Sequence, residues 1–349
     1  MDVAHAFRLQ ADACEKMRSD LYARLLKVAA ADLEGEGPVF RVVDHWDRNP
    51  MDDAVPLRLL GGVHRIVLSG RAPELARHYP SVGGSPEWPA CGHDFLSTVA
   101  DHVPELRIGM LHPPQTNEVG RSGVLVGGLL EASRLTGGMP IRLLEYGASG
   151  GLNLRLDHYR YEFDVAAWGD PDSPFVIETP WRGASPEVDR MLDITDRRGC
   201  DAAPLDVTDD LHARRLESFV WPDQTDRLQR TRSAIRIVRE HPVTIDTASA
   251  DHWLAEHLAA PASGQVTVVM HSAVTQYLDK TVRARMESVL ARQGRHADRR
   301  APLVRLSLEP GQKYFALRLR IWPGNIDVIL ADAHPHGAWA NWFIGTGSP

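Results

Sequence analysis

Cysteine is scarce in this chain of 349 residues. Only Cys14, Cys91 and Cys200 occur, far apart, odd in number and with no C-x-x-C pair. That pattern excludes a disulfide framework and a cysteine zinc site, and it suits a reducing cytosol. A long apolar run is also missing, so no membrane span is expected. The first residues, "MDVAHAFRLQADACEKMRSD", carry charge throughout and lack the apolar core of a signal peptide. A cytoplasmic location is the expectation. Positive charge is not in excess: 39 Lys and Arg face 46 Asp and Glu, for a net −7. No global attraction to nucleic acid or to an anionic membrane follows from that balance. Internal repeats and low-complexity tracts are absent as well.

What is present is ordinary globular composition, 43% apolar and 24% charged. A chain of this length buries a large core without staples. The first third reads as mostly helical. Phe7, Ala11, Cys14, Met17, Leu21, Leu25 and Val28 recur at helical spacing through residues 4–32. Residues 56–69 read as a second helix with Leu57, Leu60, Val63, His64 and Val67 on one face, and 95–102 as a third. Residues 39–43 are the one strand candidate there, and 79–89 read as loop.

The pattern changes at "IRLLEYGASGGLNL" (141–154). Short runs rich in β-branched residues and Leu follow at 242–246, 266–271 and 303–308, with helical stretches 251–259 and 280–292 between them. Strands alternating with helices predict a parallel sheet of βαβ units. Residues 314–322 and 326–331, joined by Pro323-Gly324-Asn325, predict an antiparallel hairpin at its end.

Two chemistries overlap in the glycine loop. Gly147-Ala148-Ser149-Gly150-Gly151 fits G-x-S-x-G, the nucleophile elbow of an α/β-hydrolase, with Asp327 or Asp332 and then His334 or His336 as partners. Glu145-Tyr146-Gly147 with the glycines that follow also fits the loop that cradles S-adenosylmethionine in methyltransferases. The loop follows the first sheet strand, as in nucleotide-type folds, whereas a hydrolase elbow lies mid-sheet. Glycines there let a backbone approach a ligand and leave amide N–H groups free to bind it. Glu145 is placed to accept from those amides or from a ligand ammonium, and Asn153 to cap the next helix. A plain strand-to-helix turn is the other reading.

Further candidates lie at the ends of the other strands. Asp201 in "RRGCDAAPLDV" could take ribose hydroxyls, although it stands about fifty residues past Gly151 instead of the usual twenty or so. An insertion around residues 165–195 would account for the delay. Asp246 could accept from an adenine amino group, and Asp251 could cap a helix. His271, at the end of 266–271, lies where a general base is useful, or is a core histidine bonded to backbone. Arg121 in "QTNEVGR" could clamp a carboxylate. "HPHGAW" offers His334 and His336, but with no further ligand cluster no metal is expected. Arg227, Arg230, Arg232, Arg236 and Arg239 crowd one helical stretch, a nucleic-acid groove or, more simply, a solvated face.

Taken in order, "QTNEVGR", "LLEYGASGGLNLRLDHYRY", "RRGCDAAPLDV", "WPDQTDRL", "HSAVTQYL" and "HPHGAW" resemble the bacterial family of domain of unknown function 2332 over nearly the whole chain. That family is similar to class I S-adenosylmethionine-dependent methyltransferases. The resemblance implies an α/β fold: a helical N-terminal cap (1–112) and a Rossmann-like cofactor domain (113–349), whose seven-stranded, mostly parallel sheet closes with a reversed hairpin. It implies methyl transfer from S-adenosylmethionine to a small polar metabolite. Arg121, Glu145, Gly147, Ser149, Gly151, Asn153, Asp201 and Asp246 would hold the cofactor, His271 would act as base, and Tyr277 would line the acceptor pocket. The rival readings are a serine hydrolase using Ser149, a non-catalytic cofactor or nucleotide sensor, and an RNA-modifying methyltransferase. Oligomeric state is open.

Overall fold

The computed structural model describes residues 1–164 and 166–343. The last residues of the expected 113–349 domain and the first of the expected insertion lie outside them. The chain divides into two compact units, one of residues 1–116 and 209–232, the other of 117–208 and 233–349. The segment 209–232 thus groups with the helical N-terminal part, and the break at 232 falls inside a helix.

The first unit is helical: α1 (Val3–Lys16), α2 (Asp20–Glu34), α3 (Pro38–Val43), α4 (Val55–Leu68), α5 (Pro73–Ala76), α6 (Ala90–Asp101) and α7 (Val103–Gly109). The stretch expected as one helix over 4–32 is two. The chain reverses at Arg18, whose φ is +60°, and Ser19 anchors the turn by donating its hydroxyl to Asp223 at 2.8 Å. The strand expected at 39–43 is a helix. Pro38 stands in its first turn with φ already suited to it, and the Asp32 carboxylate accepts from Val39 N–H at 2.7 Å. Phe7, Leu25, Leu26, Leu59, Leu60, Val63 and Phe95 are fully buried in one core.

The second unit opens with α8 (Ser122–Leu135), buried almost throughout, and then β1 (Ile141–Tyr146). Small strands follow: β2 (Arg160–Phe163), β3 (Ala166–Trp168), β4 (Val176–Glu178) and β5 (Trp181–Gly183). Next comes β6 (Ile194–Asp201). The chain runs through α9 (Asp210–Ser218) of the first unit and α10 (Thr225–Glu240), which spans the break, to β7 (Thr244–Thr247). It continues with α11 (Ala250–His257), β8 (Val266–Ser272), α12 (Lys280–His296), β9 (Leu303–Pro310), β10 (Phe315–Trp322), β11 (Ile326–Ala333) and β12 (Ala340–Trp342).

Among the described residues, one sheet has nine strands in the order β5-β12-β11-β10-β9-β8-β1-β6-β7. The run β7-β6-β1-β8-β9 is parallel throughout, which explains why β1 and β8 are mostly apolar and buried nearly throughout, on both faces. Strand order reverses at β1: β6 and β7 lie on one side of it and β8 and β9 on the other. In open parallel sheets ligands gather outside the carboxyl ends at such a point.

The hairpin expected near the end is β10–β11, with Gly324 at φ +108° and Asn325 at +52° in its turn. It is one link of a longer antiparallel run, because β9 also pairs antiparallel with β10, and β11 with β12. The sheet therefore exceeds the seven strands expected. The extra pair, β12 and β5, has three residues per strand, too short for an alternation signal. β2, β3 and β4 form a separate three-stranded sheet, β3 and β4 within the expected insertion and β2 just before it, built around Tyr161, Phe163 and Trp168.

Candidate functional site

The carboxyl end of β1 turns through Gly147 (φ +67°), Ser149 (φ +52°) and Gly151 (φ +72°) into a short 3-10 segment, Leu152–His158. Asn153 lies inside that segment instead of capping an α-helix. The loop amides are largely committed. Ala148 N–H donates to the Cys200 carbonyl at 3.0 Å and Gly151 N–H to the Ala148 carbonyl at 2.8 Å. Ser149 N–H donates to Asp201 Oδ2 at 3.0 Å and Leu152 N–H to Asn117 Oδ1 at 2.8 Å. The free amide cradle expected from the glycines is thus closed at these four positions.

The glycines have a packing reason as well. A Cβ on Gly147 would lie 2.5 Å from Val274 Cγ2, and one on Gly151 would lie 2.6 Å from Val243 Cγ2. Aliphatic side chains occupy the space that a ligand backbone contact would need.

The loop instead presents unsatisfied side chains. Glu145 Oε2, Ser149 Oγ and Asn153 Oδ1 are buried and have no hydrogen-bond partner among the described residues. The three residues are 2%, 6% and 1% exposed, so bulk water does not reach them. Buried polar groups are nearly always bonded, so three orphans within nine residues call for a cause. Burial first, and then the Asp201 carboxylate, pushes Glu145 well above the usual carboxylate range, while Arg121 pulls it down. In the free chain burial thus favours the neutral form of Glu145 over the charged one.

Asp201 and Arg121 also serve the loop's surroundings. Asp201 receives Ala203 N–H at 2.9 Å beside its bond to Ser149. Arg121 Nε donates to the Pro335 carbonyl at 2.8 Å. Beside it a Cβ on Gly120 would stand 2.4 Å from the His336 carbonyl oxygen, so "NEVGR" and "HPHG" interlock through backbone. The Glu118 carboxylate accepts from Gly120 N–H at 3.1 Å and closes that turn.

Asp246 lies apart in its bonding. Arg198 grips it bidentately at 2.7 and 2.8 Å, and Trp253 Nε1 donates to it at 2.7 Å. The Arg198 guanidinium holds this carboxyl below its ordinary range. His271 is sealed. It has no exposed surface, stacks on Tyr146 with ring centroids 4.4 Å apart, and uses both ring nitrogens. Arg305 Nε can only donate, so His271 Nε2 accepts from it at 3.2 Å, and Nδ1–H donates to Glu309 at 2.7 Å. Burial lowers its pKa and the ring is neutral. Glu309 also accepts from Val274 N–H at 3.1 Å and from the Thr275 hydroxyl at 2.7 Å. His271 therefore braces the turn whose Val274 abuts Gly147. Tyr277, in that same turn, is 79% exposed. Glu309 is the residue that sequence reasoning passed over; Asn117 in "QTNEVGR" reads from the sequence as a helix cap, whereas its side chain holds the Leu152 amide.

The other motifs resolve simply. Ser149 Oγ has no histidine in hydrogen-bond reach, so the base of a nucleophile elbow is missing there among the described residues. Cys14, Cys91 and Cys200 are buried thiols, pushed by that burial up to about 11, 12 and 12. Among the described residues no group of His, Cys, Asp or Glu could hold a metal, and no helix is long and apolar enough to cross a membrane. In the arginine-rich α10, Arg232 pairs with Glu217 at 3.0 Å, Arg239 donates to the Val207 carbonyl at 2.8 Å and Arg227 to Gln224 at 2.9 Å.

Comparison with curated proteins and with solved structures returns no match. One family profile matches, over residues 4–342. On that match, and on the six motifs whose packing is described above, the chain belongs to the family described as "Uncharacterized protein conserved in bacteria (DUF2332)".

Proposed function

We propose that the second unit is a Rossmann-like, class I-type domain that binds S-adenosylmethionine and transfers its methyl group to a small polar metabolite. The observation that carries the reading is the trio of orphaned groups at the end of β1. Glu145 and Asn153 offer acceptors, Ser149 offers a hydroxyl, and the amides that would hold a phosphate are spent. A ligand suited to them brings donors and positive charge instead of anionic oxygens. An ammonium, ribose hydroxyls and a sulfonium have that character; a pyrophosphate does not. The β7-β6-β1-β8-β9 order supports the same reading, since it puts the trio at the strand-order reversal.

When bound, the cofactor supplies an electrophilic methyl group. The chain's part is to hold and align. Glu145 would take the ligand ammonium, and a cation beside a buried acid favours its charged form. Arg121 stays close enough to Glu145 to favour the charged form. Asp201 fixes Ser149 by accepting from its amide N–H at 3.0 Å and, at the carboxyl end of β6, would take the ribose hydroxyls. Gly147 and Gly151 let the loop fold against Val274 and Val243. Asp246 serves the adenine side through its fixed carboxylate. His271 is a positioning residue in this reading, because both its nitrogens are engaged, and Tyr277 is left to the acceptor.

The test is calorimetric titration of the intact chain with S-adenosylmethionine and its demethylated product, in two buffers of different ionisation enthalpy. Saturable binding with proton release is expected. Glu145→Gln, which keeps the shape and removes the charge, should weaken binding by about tenfold or more and abolish the release. Absent binding, or equal affinity and equal proton release in the variant, refutes the proposal. Labelling of Ser149 by a fluorophosphonate would instead establish the hydrolase.

A further inference from the structure

The helical unit carries a basic cleft that none of the chemistry above uses. Helix α4 contains Arg58-Leu59-Leu60-Gly61-Gly62-Val63-His64-Arg65. Positions 58, 61, 62 and 65 follow the i, i+3, i+4, i+7 pattern of one helix face. That face has an arginine at each end and two glycines between them, so side chains are missing where they would fill the middle. Gly61 is filled in part by the Phe219 ring, whose Cε1 lies 2.6 Å from where a Cβ would stand. The remaining space is a small cleft open to solvent, lined by both arginines together with His112, Arg215 and Ser218.

The charge in this cleft is not balanced locally. Arg58 is 7% exposed, and its guanidinium bonds two backbone carbonyls, Asp53 at 2.6 Å and Met110 at 2.8 Å. Arg65 stands 3.5 Å from Glu105, but Arg71 already holds that carboxylate with two bonds of 2.7 Å. The Asp53 carboxylate is taken by Trp46 Nε1 at 3.1 Å and Arg48 at 3.0 Å. The guanidinium of half-buried Arg215 has no hydrogen bond or ion pair among the described residues; its backbone carbonyl accepts from the Ser218 hydroxyl at 2.8 Å. Burial and then Arg65 hold its pKa below the ordinary value. In a chain of net charge −7, three guanidiniums converging on one cavity without an equal number of carboxylates is a costly arrangement. A bound anion removes that cost, and guanidinium forks match its oxygens in pairs.

We propose that this cleft binds a phosphate group, held by the guanidiniums of Arg215, Arg65 and Arg58 that line it. The shared chemistry is a tetrahedral dianion, and its source is either free inorganic phosphate or a small phosphate monoester.

The experiment is titration calorimetry of the full chain with inorganic phosphate and, separately, with glycerol 3-phosphate. Saturable binding of at least one at low-millimolar concentration is expected. The Arg215 guanidinium has no internal partner, so Arg215→Gln should keep the fold, seen as an unchanged melting temperature, and weaken binding by about tenfold. Arg292→Gln, an exposed arginine outside the cleft, should leave binding unchanged. Tighter binding of the monoester identifies a phosphorylated metabolite; equal or tighter binding of phosphate identifies the free ion. Either result supports the site. No saturable binding of either probe, unchanged affinity in Arg215→Gln, or equal weakening by Arg292→Gln overturns it.

Discussion

Acid should unfold the helical unit through one buried side chain. His64 has no exposed surface, and it sits between the Ser218 carbonyl, 3.1 Å from Nδ1, and the Ser81 hydroxyl, 2.9 Å from Nε2. A carbonyl can only accept, so Nδ1 carries the proton and Nε2 accepts from Ser81. A second proton would have to enter at Nε2, turning an acceptor into a donor inside a closed core. Burial, reinforced by the Arg232 charge and opposed by the backbone carbonyls, lowers its pKa from 6.5 to about 4. The unfolded chain keeps the higher value and binds the proton more tightly, so acid favours unfolding. The stability at stake is fully present above pH ~6.5, declines as pH falls, and is gone near pH ~4. A shift of about 2.5 units at 1.36 kcal/mol each gives a loss of about 3 kcal/mol, a large part of the 5–15 or so of a typical domain.

His271 and His334 are also lowered by burial, so a pH series on the natural chain cannot isolate His64. The comparison must be with His64→Asn, which keeps a donor near the Nδ1 position and does not titrate. Urea unfolding of both proteins, followed by tryptophan fluorescence and far-ultraviolet circular dichroism, gives the stability gap at each pH. The gap should be largest near pH ~7.5 and shrink by about 3 kcal/mol by pH ~4. A gap that stays constant, or widens in acid, would refute the argument, because a neutral buried ring allows neither.

Two other substitutions test the loop and its brace. Glu309→Gln loses the charge that accepts from His271, Val274 and Thr275. It should lower stability by about 2–3 kcal/mol in urea unfolding, and an unchanged midpoint would show that the turn does not depend on it. Gly147→Ala puts a Cβ at φ +67° and 2.5 Å from Val274 Cγ2, for a loss of about 2–4 kcal/mol. Adding Val274→Ala should relieve the steric part and leave the backbone part, so strict additivity of the two single substitutions would count against the contact.

Much of the sheet was legible because parallel strands buried on both faces announce themselves. Ile141–Tyr146 and Val266–Ser272 are short, mostly apolar runs, each broken by only a few polar residues such as Arg142, Glu145 and Thr267. Residues 39–43 misled for the opposite reason. Their β-branched composition suggests a strand, but Pro38 and the Asp32 carboxylate set a helical start, and only the second unit's chain has parallel neighbours to pair with. The break at Arg18 has no glycine or proline to mark it; Asp223, some two hundred residues away, holds the turn through Ser19. Contacts that distant leave no trace in local periodicity.

The glycine loop shows where sequence reasoning about a site reaches its end. Spacing indicated that residues 147–151 must turn sharply after the first strand, and the positive φ at Gly147, Ser149 and Gly151 is that turn. Spacing could not indicate what the saved space was for. Val274, Val243 and the amide partners Asp201 and Asn117 come from separate elements, and they use up both the room and the donors that a phosphate-binding loop would keep. What remains is acidic and acceptor-rich: a buried Glu145, an unpaired Asn153 oxygen and a serine hydroxyl with no base beside it. A loop with those remnants is suited to a donor-rich cation and unsuited to an oxyanion, whereas the arginine cleft of the helical unit has the opposite chemistry. The same chain thus keeps its two complementary preferences on different scaffolds, each readable only once burial reveals which groups have been left without a partner.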